Sequence, residues 1–77
     1  MREFLRDLRK ERGLSQDEIS KRIGLTQSFY SMIETGERVE RMNLDMAVKL
    51  AKVLGLELGK FIGYEIAWER KHLKEGE

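Results

Sequence analysis

Residues 14–36, with the sequence LSQDEISKRIGLTQSFYSMIETG, are the most informative stretch of the chain. Gly24 divides it into two segments with helical periodicity, and Gly36 follows the second as a helix-ending residue. Ser15 and Glu18 form a capping-box pattern at the start of the first segment, since each side chain can bond the backbone amide of the other. The stretch therefore predicts two short helices joined by a glycine turn.

The second segment begins after Thr26, an N-cap candidate, and predicts a helix from Gln27 to about Thr35. Ser20 is a small residue on the inner side of the preceding helix, where the second helix must cross closely. Apolar residues form a wedge between the two helices: Ile19, Ile23, Leu25, Tyr30 and Ile33. This is the pattern of a helix-turn-helix, whose second helix docks in the major groove of DNA.

Glycines also end the two neighbouring helices. Gly13 fits the left-handed position after a first helix, which carries Leu5 and Leu8 on one face. Asn43 is the N-cap candidate of another helix, and Gly55 ends it. The apolar residues of this helix repeat at three- and four-residue spacing: Leu44, Ala47, Leu50, Ala51 and Leu54. The sequence thus predicts four helices before the tail.

The tail leaves two structures open. A short fifth helix over residues 57–62 either ends at Gly63 or continues to about Leu73. Residues 64–69 also alternate as a strand does, whereas the charged residues that follow favour a helix. We expect the helix, and a strand is the alternative.

The composition sets limits on the class of protein. The chain has 77 residues, 38% of them charged, a formal net charge of +1 and no cysteine. A chain of this length forms one small core, and disulfides and thiolate–zinc sites are excluded. No apolar run is long enough to span a membrane and no signal-peptide pattern is present, so we expect a cytoplasmic protein. We divide it into a helix-turn-helix domain over residues 1–62 and a C-terminal extension over residues 63–77.

The chain resembles the phage-repressor and Cro-like helix-turn-helix regulators, the xenobiotic-response-element type. The resemblance covers about residues 4–62 and rests on five segments: LRDLR at 5–9, GLSQDEI at 13–19, GLTQS at 24–28, IETG at 33–36 and LAKVLG at 50–55. It implies an all-α, five-helix bundle of the lambda-repressor-like type, with the helix-turn-helix at helices 2 and 3. It also implies a transcriptional regulator that binds double-stranded DNA, a small stand-alone member of the Cro/C1 type; we expect a repressor, and an activator is the alternative.

The outward face of the second motif helix is the candidate for reading bases. Tyr30 and Ile33 point inward on the helical wheel, away from the candidate residues. Those residues are Gln27, Ser28, Phe29, Ser31 and Met32. Gln27 suits the N6/N7 edge of adenine, and Met32 and Phe29 can contact thymine methyl groups. A solvated polar face without function is the alternative interpretation.

Affinity for DNA depends mainly on phosphate contacts. The predicted phosphate-binding residues lie at helix ends or in the loop after the recognition helix: Gln16, Thr26, Thr35, Arg38 and Arg41. The resemblance implies that Gln16, beside the free amides that begin its helix, bonds a phosphate. Glu37 and Glu40 stand beside the two arginines and reduce the positive charge of the loop.

The resemblance also implies a partly buried ion pair between Arg9 and Glu34, which ties the first helix to the recognition helix. The alternative is two independent surface charges. If the pair is well buried, removing one partner leaves an uncompensated charge and costs about 3–5 kcal/mol.

An enzyme is not expected. The single histidine, His72, lies in the tail, and no candidate base stands near any of the serines. No phosphate-binding glycine loop, metal-ligand cluster, cofactor site or small-molecule effector domain is evident. The main alternative function is a protein-interaction module (an antitoxin, anti-repressor or adaptor) that keeps the fold without reading DNA, and the weak net charge supports it.

The C-terminal segment is the candidate for a homodimer interface. A two-fold dimer places two recognition helices on half-sites of a palindromic operator, about 34–36 Å apart. We expect the inward face of the tail helix to carry Leu58, Phe61, Ile62 and Ile66. Tyr64 and Trp68 then lie next to each other on its flank, and we predict Phe61, Tyr64 and Trp68 at the interface. The alternative is that Trp68 covers its own core.

Overall fold

A computed structural model describes residues 1–37 and 41–73. Within these residues the chain forms five helices and no strand: α1 (Glu3–Glu11), α2 (Gln16–Ile23), α3 (Gln27–Thr35), α4 (Leu44–Leu54) and α5 (Leu58–His72). The predicted all-α class is confirmed, and the tail takes the helical one of the two structures left open. The chain divides into two compact units, the first carrying α1 to α3 and the second α4 and α5.

Helix α2 forms where the capping box predicts it. The Ser15 hydroxyl accepts from the Glu18 amide at 3.0 Å, and the Glu18 carboxylate accepts from the Ser15 amide at 2.9 Å. Gly24 ends the helix with a φ of +77°, a conformation that an L side chain adopts only with strain. No atom lies within 4 Å of where its Cβ would stand, so the backbone angle alone accounts for glycine here.

Helix α3 follows two residues after this turn. The Thr26 hydroxyl accepts from the Phe29 amide at 3.1 Å, and Gly36 ends the helix in the left-handed conformation. Ser20 is buried where α2 meets α3, and its carbonyl accepts from the Leu25 amide at 2.9 Å. Of the predicted wedge, three residues are buried and two are half-buried: Ile19, Ile23 and Tyr30, then Leu25 and Ile33.

The start of the chain packs on the C-terminal end of α3. Arg2 is 1% exposed, and its backbone amide donates to the Glu34 carbonyl at 2.8 Å. Its guanidinium donates to the Ile33 carbonyl at 2.7 Å. The last carbonyls of a helix lack partners within the helix, so Arg2 supplies donors that α3 itself cannot.

In the second unit, the helix faces that are buried differ from those that the sequence predicts. Helix α4 is capped by Asn43 as predicted, but Leu44, expected on its apolar face, is 65% exposed. In α5 the expected inward residues Leu58 and Ile66 are exposed, whereas Trp68 is 7% exposed. The buried residues of α5 are Phe61, Glu65 and Trp68. Their spacing of four and three residues is that of one helix face, rotated from the predicted one toward Trp68.

Helix α5 continues through Gly63 without interruption. It therefore crosses the predicted boundary between residues 62 and 63, and that domain boundary stays a prediction. Near its end the Trp68 and His72 rings stack with centroids 4.5 Å apart. None of the helices in the described part of the chain has the length and apolar content that crossing a bilayer requires.

Candidate nucleic-acid interface

The predicted base-reading residues occupy the first two turns of α3. Gln27, Ser28 and Phe29 are exposed, and Ser31 and Met32 are half-buried. The exposed positions lie at the N-terminal end of the helix, where a recognition helix approaches base edges.

The exposed face of α3 is uncharged. The ionisable side chains of this helix are Tyr30 and Glu34, and both are buried. The face therefore presents amide, hydroxyl, thioether and aromatic groups from Gln27 to Thr35. Such groups suit adenine edges and thymine methyl groups, whereas a bidentate guanine contact requires an arginine or lysine.

Glu34 on the inner face of α3 is bound to α1 through Arg9. The Arg9 Nε donates to Glu34 Oε2 at 2.8 Å, and Nη2 donates to Oε1 at 3.0 Å. The remaining Arg9 nitrogen, Nη1, donates to the Leu14 carbonyl at 2.8 Å. Glu34 is 2% exposed and Arg9 is 8% exposed. The structure thus brings the predicted pair together as a buried, two-bond contact and not as two separate surface charges.

Two further side chains complete the bonds of this carboxylate. The Tyr30 hydroxyl donates to Glu34 Oε2 at 2.6 Å, and Gln16 Nε2 donates to Oε1 at 3.0 Å. Each carboxylate oxygen therefore accepts two hydrogen bonds. We name these four side chains the Glu34 network: Arg9, Gln16, Tyr30 and Glu34. Across the described residues no buried side-chain nitrogen or oxygen lacks a partner.

The Glu34 network fixes the charge state of its members. Burial by itself raises the pKa of Glu34, but the bonds from Arg9, Tyr30 and Gln16 outweigh it, and the pKa lies below its ordinary value. The hydrogen bond to Glu34 raises the pKa of Arg9. Burial, then the bond to Glu34, raises the pKa of Tyr30. At neutral pH the network therefore holds a carboxylate, a guanidinium and a neutral phenol.

Sequence reasoning missed Tyr30 and Arg2 as polar partners. It assigned Tyr30 to the apolar wedge only, although its spacing of four residues from Glu34 places the two side chains on one helix face. That spacing was the available signal. No such signal exists for Arg2, because its hydrogen bonds to α3 join residues more than thirty positions apart.

The predicted phosphate-binding residues fall into three groups. Thr26 and Thr35 are exposed at the two ends of α3, and Gln16 is half-buried at the first position of α2. Arg41 belongs to the second unit, where its Nη1 lies 3.5 Å from Glu69 Oε1. Arg38 lies outside the described residues.

The predicted interface residues of the tail differ in exposure. Tyr64 is 40% exposed, whereas Phe61 and Trp68 are buried. The alternative in which Trp68 covers its own core agrees with this burial. An interface role for these three residues stays a prediction, and Tyr64 is the one of them that a partner can contact directly.

The chain is similar to known proteins along most of its length. A profile of the family described as Helix-turn-helix matches residues 5–61. An HTH-type transcriptional regulator of Methanothermobacter thermautotrophicus is 37% identical over 57 residues, which cover 74% of this chain and 80% of the relative. The HTH-type transcriptional regulator YqaF of Bacillus subtilis is 31% identical over 72 residues, 94% of this chain and 91% of the relative. No solved structure gives a significant match.

Proposed function

This chain belongs to the helix-turn-helix family of DNA-binding transcriptional regulators, and we propose that it represses transcription as a homodimer on a palindromic operator. The proposal rests on the difference between the two faces of α3. Its inner face is bound to α1 by the Glu34 network, and its outer face is exposed and uncharged. A helix that is held rigidly and presents hydrogen-bonding groups outward is what direct reading of base edges requires.

Bases are read from the N-terminal half of α3. The Gln27 amide pairs with the N6 and N7 atoms of an adenine, and the exposed Phe29 ring contacts a thymine methyl group. Ser28, Ser31 and Met32 contribute the remaining contacts. The absence of a charged side chain on this face supports a preference for A·T over G·C at the contacted positions.

Phosphate contacts position the protein on the duplex. Gln16 and Thr26 lie at the N-terminal ends of α2 and α3, where backbone amides attract an anion, and Thr35 lies at the other end of α3. Arg38 and Arg41 supply positive charge. The Glu69 carboxylate near Arg41 reduces the effective charge of that arginine until a phosphate replaces it.

The dimer forms through α5. Tyr64 exposes apolar surface on this helix, and pairing with a second copy removes that surface from water. Phe61 and Trp68 are buried and contribute to the packing of the helix that carries this surface. Tyr64→Ala is therefore expected to shift sedimentation toward monomer while helical circular dichroism is retained. Trp68→Ala is a contrasting control, because removing a buried indole costs about 3–5 kcal/mol of stability. A wild-type protein that sediments as a monomer at the concentration that binds DNA would end the dimer proposal.

Selection from a randomised duplex pool tests the proposed function. The purified protein is expected to enrich one palindromic sequence, with half-sites one helical turn apart and A·T pairs at the contacted positions. Binding to that duplex falls steeply as salt rises, because phosphate contacts release counterions. Enrichment of no sequence, together with no retarded duplex at low salt, would contradict the proposal.

The second candidate function is protein interaction. The exposed Phe29 on α3 favours it, since aromatic residues are enriched at the centre of protein interfaces. A protein that binds no duplex would leave this candidate in place. We further propose that the protein acts in the cytoplasm, without catalysis, cofactor or small-molecule effector.

A further inference from the structure

Gln16 is the one member of the Glu34 network that reaches the surface. Arg9, Tyr30 and Glu34 are buried, whereas Gln16 is half-buried at the first position of α2. Its Nε2 donates to Glu34 Oε1 at 3.0 Å. One hydrogen bond therefore connects a buried carboxylate of the recognition helix to a partly exposed side chain of another helix.

The chemistry of Glu34 decides which end of the Gln16 amide turns inward. An ionised carboxylate only accepts hydrogen bonds, so it must face the NH2 group, because the amide oxygen would repel it. The NH2 group has two hydrogens, and Glu34 takes one. Among residues 1–37 and 41–73, no second protein group accepts from this nitrogen. The other N–H has no acceptor among these described residues.

The backbone beside Gln16 presents donors in the same place. The capping box uses the amides of Ser15 and Glu18, and the Ile19 amide makes the first bond of the helix with the Ser15 carbonyl. The amides of Gln16 and Asp17 have no acceptor within the helix. A phosphate oxygen at the start of α2 thus meets an amide N–H from the side chain and further ones from the backbone.

We propose that Glu34 is a positioning residue for the phosphate contact of Gln16. It holds the side-chain amide so that the second N–H donates to a DNA phosphate oxygen. Glu34 lies on the inner face of the same helix that carries the base-reading residues. The bond to Gln16 thereby fixes the distance between a phosphate contact and the base contacts, which is what sets the register of a protein on its duplex. This inference rests on the proposed DNA-binding function.

The first test uses the free protein without DNA. The sequence contains three side-chain amides, those of Gln16, Gln27 and Asn43, so their NH2 signals can be assigned by substitution in a proton–nitrogen spectrum. Gln27 is exposed and is the matched control for Gln16. The Gln16 NH2 hydrogens are expected to exchange with water about tenfold more slowly than those of Gln27, because one of them is bound to a carboxylate. Equal exchange at the two glutamines would overturn the proposal.

The second test uses the duplex that the wild-type protein selects, with each phosphate in turn replaced by an uncharged methylphosphonate. Wild-type affinity is expected to fall about tenfold at the phosphate that Gln16 contacts. Gln16→Ala should reduce the sensitivity at that phosphate only, because the backbone amides beside it still contact the same phosphate.

The decisive variant for this test is the triple substitution Arg9→Met, Tyr30→Phe and Glu34→Met. It replaces the buried network by apolar groups of similar size, an exchange that proteins often tolerate, and leaves Gln16 without its acceptor. It should show the same reduced sensitivity at that phosphate and full sensitivity at all others, whereas general destabilisation would weaken binding everywhere alike. A triple variant that keeps full sensitivity at that phosphate would overturn the proposal.

If the wild type binds no duplex, the proposed function fails and a phosphate partner for Gln16 fails with it. Amide exchange still reports whether Glu34 holds Gln16. If the triple variant does not fold, amide exchange in the wild type still decides whether Glu34 holds the Gln16 amide.

Discussion

The two faces of α3 differ in chemistry. The inner face carries Tyr30 and Glu34, which are buried and bonded to each other at 2.6 Å. The outer face carries Gln27 and Ser28, which are exposed and uncharged. A buried polar group costs free energy when it loses its partner, whereas an exposed one exchanges its bond with water at little cost. The inner face therefore sets where the helix lies, and the outer face is available to bind a ligand.

Removing Glu34 should give the largest effect on stability. Glu34→Ala leaves the Arg9 guanidinium buried without its counter-ion, and the free energy of unfolding is expected to fall by about 3–5 kcal/mol in a denaturant titration. Glu37→Ala is the matched control, because it removes an exposed carboxylate three residues later and should change stability by less than about 0.5 kcal/mol. Equal effects of the two substitutions would mean that the inner face does not hold the helix.

The pH dependence of stability should separate Glu34 from the exposed carboxylates. The pKa of Glu34 is lowered in the folded protein, so folding stabilises its ionised form. This contribution to stability is complete above the ordinary carboxyl pKa of about 4.3 and is lost as pH falls through the lower folded value. Below pH 5, Glu34→Gln should therefore lose stability less steeply than the wild type in unfolding experiments. Parallel curves would assign acid sensitivity to other carboxylates.

Tyr30→Phe should produce an intermediate effect. It removes one hydrogen bond to the carboxylate and keeps the ring, so we expect a loss of about 1.5–3 kcal/mol in the free energy of unfolding. The sequence selected from a random duplex pool should not change, because Tyr30 lies on the face away from the bases. A changed sequence preference would contradict the separation of the two faces.

Arg41→Ala should have the smallest effect of these substitutions. It should leave the preference for particular base pairs unchanged. It is expected to weaken binding to all duplexes alike and to reduce the salt slope by about one unit. Lys60→Ala is a control that removes the same charge from an exposed residue of α5 outside the predicted phosphate-binding set. An unchanged slope for Arg41→Ala would remove this residue from that set.

Local signals made the helix boundaries predictable. Ser15, Thr26 and Asn43 each accept the backbone bond expected of an N-cap, and Gly24, Gly36 and Gly55 each have the left-handed conformation expected after a helix. These features depend on residues at most four positions apart. Short stretches of sequence are therefore enough to predict them, without knowledge of how the helices pack.

Contacts between distant parts of the chain were less predictable. The pairing of Arg9 with Glu34 followed from a family resemblance, and the sequence alone left it open. The convergence of Gln16 on the same carboxylate depends on how α2 and α3 cross, which no spacing encodes. In α5 the predicted buried face was chosen by hydrophobicity, so it missed Glu65, a charged residue that is buried beside Trp68.

Gln27→Ala decides whether the outer face of α3 reads DNA sequence. The wild type, Gln27→Ala and Gln16→Ala each select sequences from the same randomised duplex pool. The comparison separates a residue that reads bases from one that positions the protein on a phosphate. We expect Gln27→Ala to relax preference at one base pair of each half-site by about 1–3 kcal/mol with unchanged stability. Gln16→Ala should weaken binding and select the wild-type sequence. A Gln27→Ala protein that selects the wild-type sequence with undiminished preference would show that this face of α3 does not read bases through Gln27.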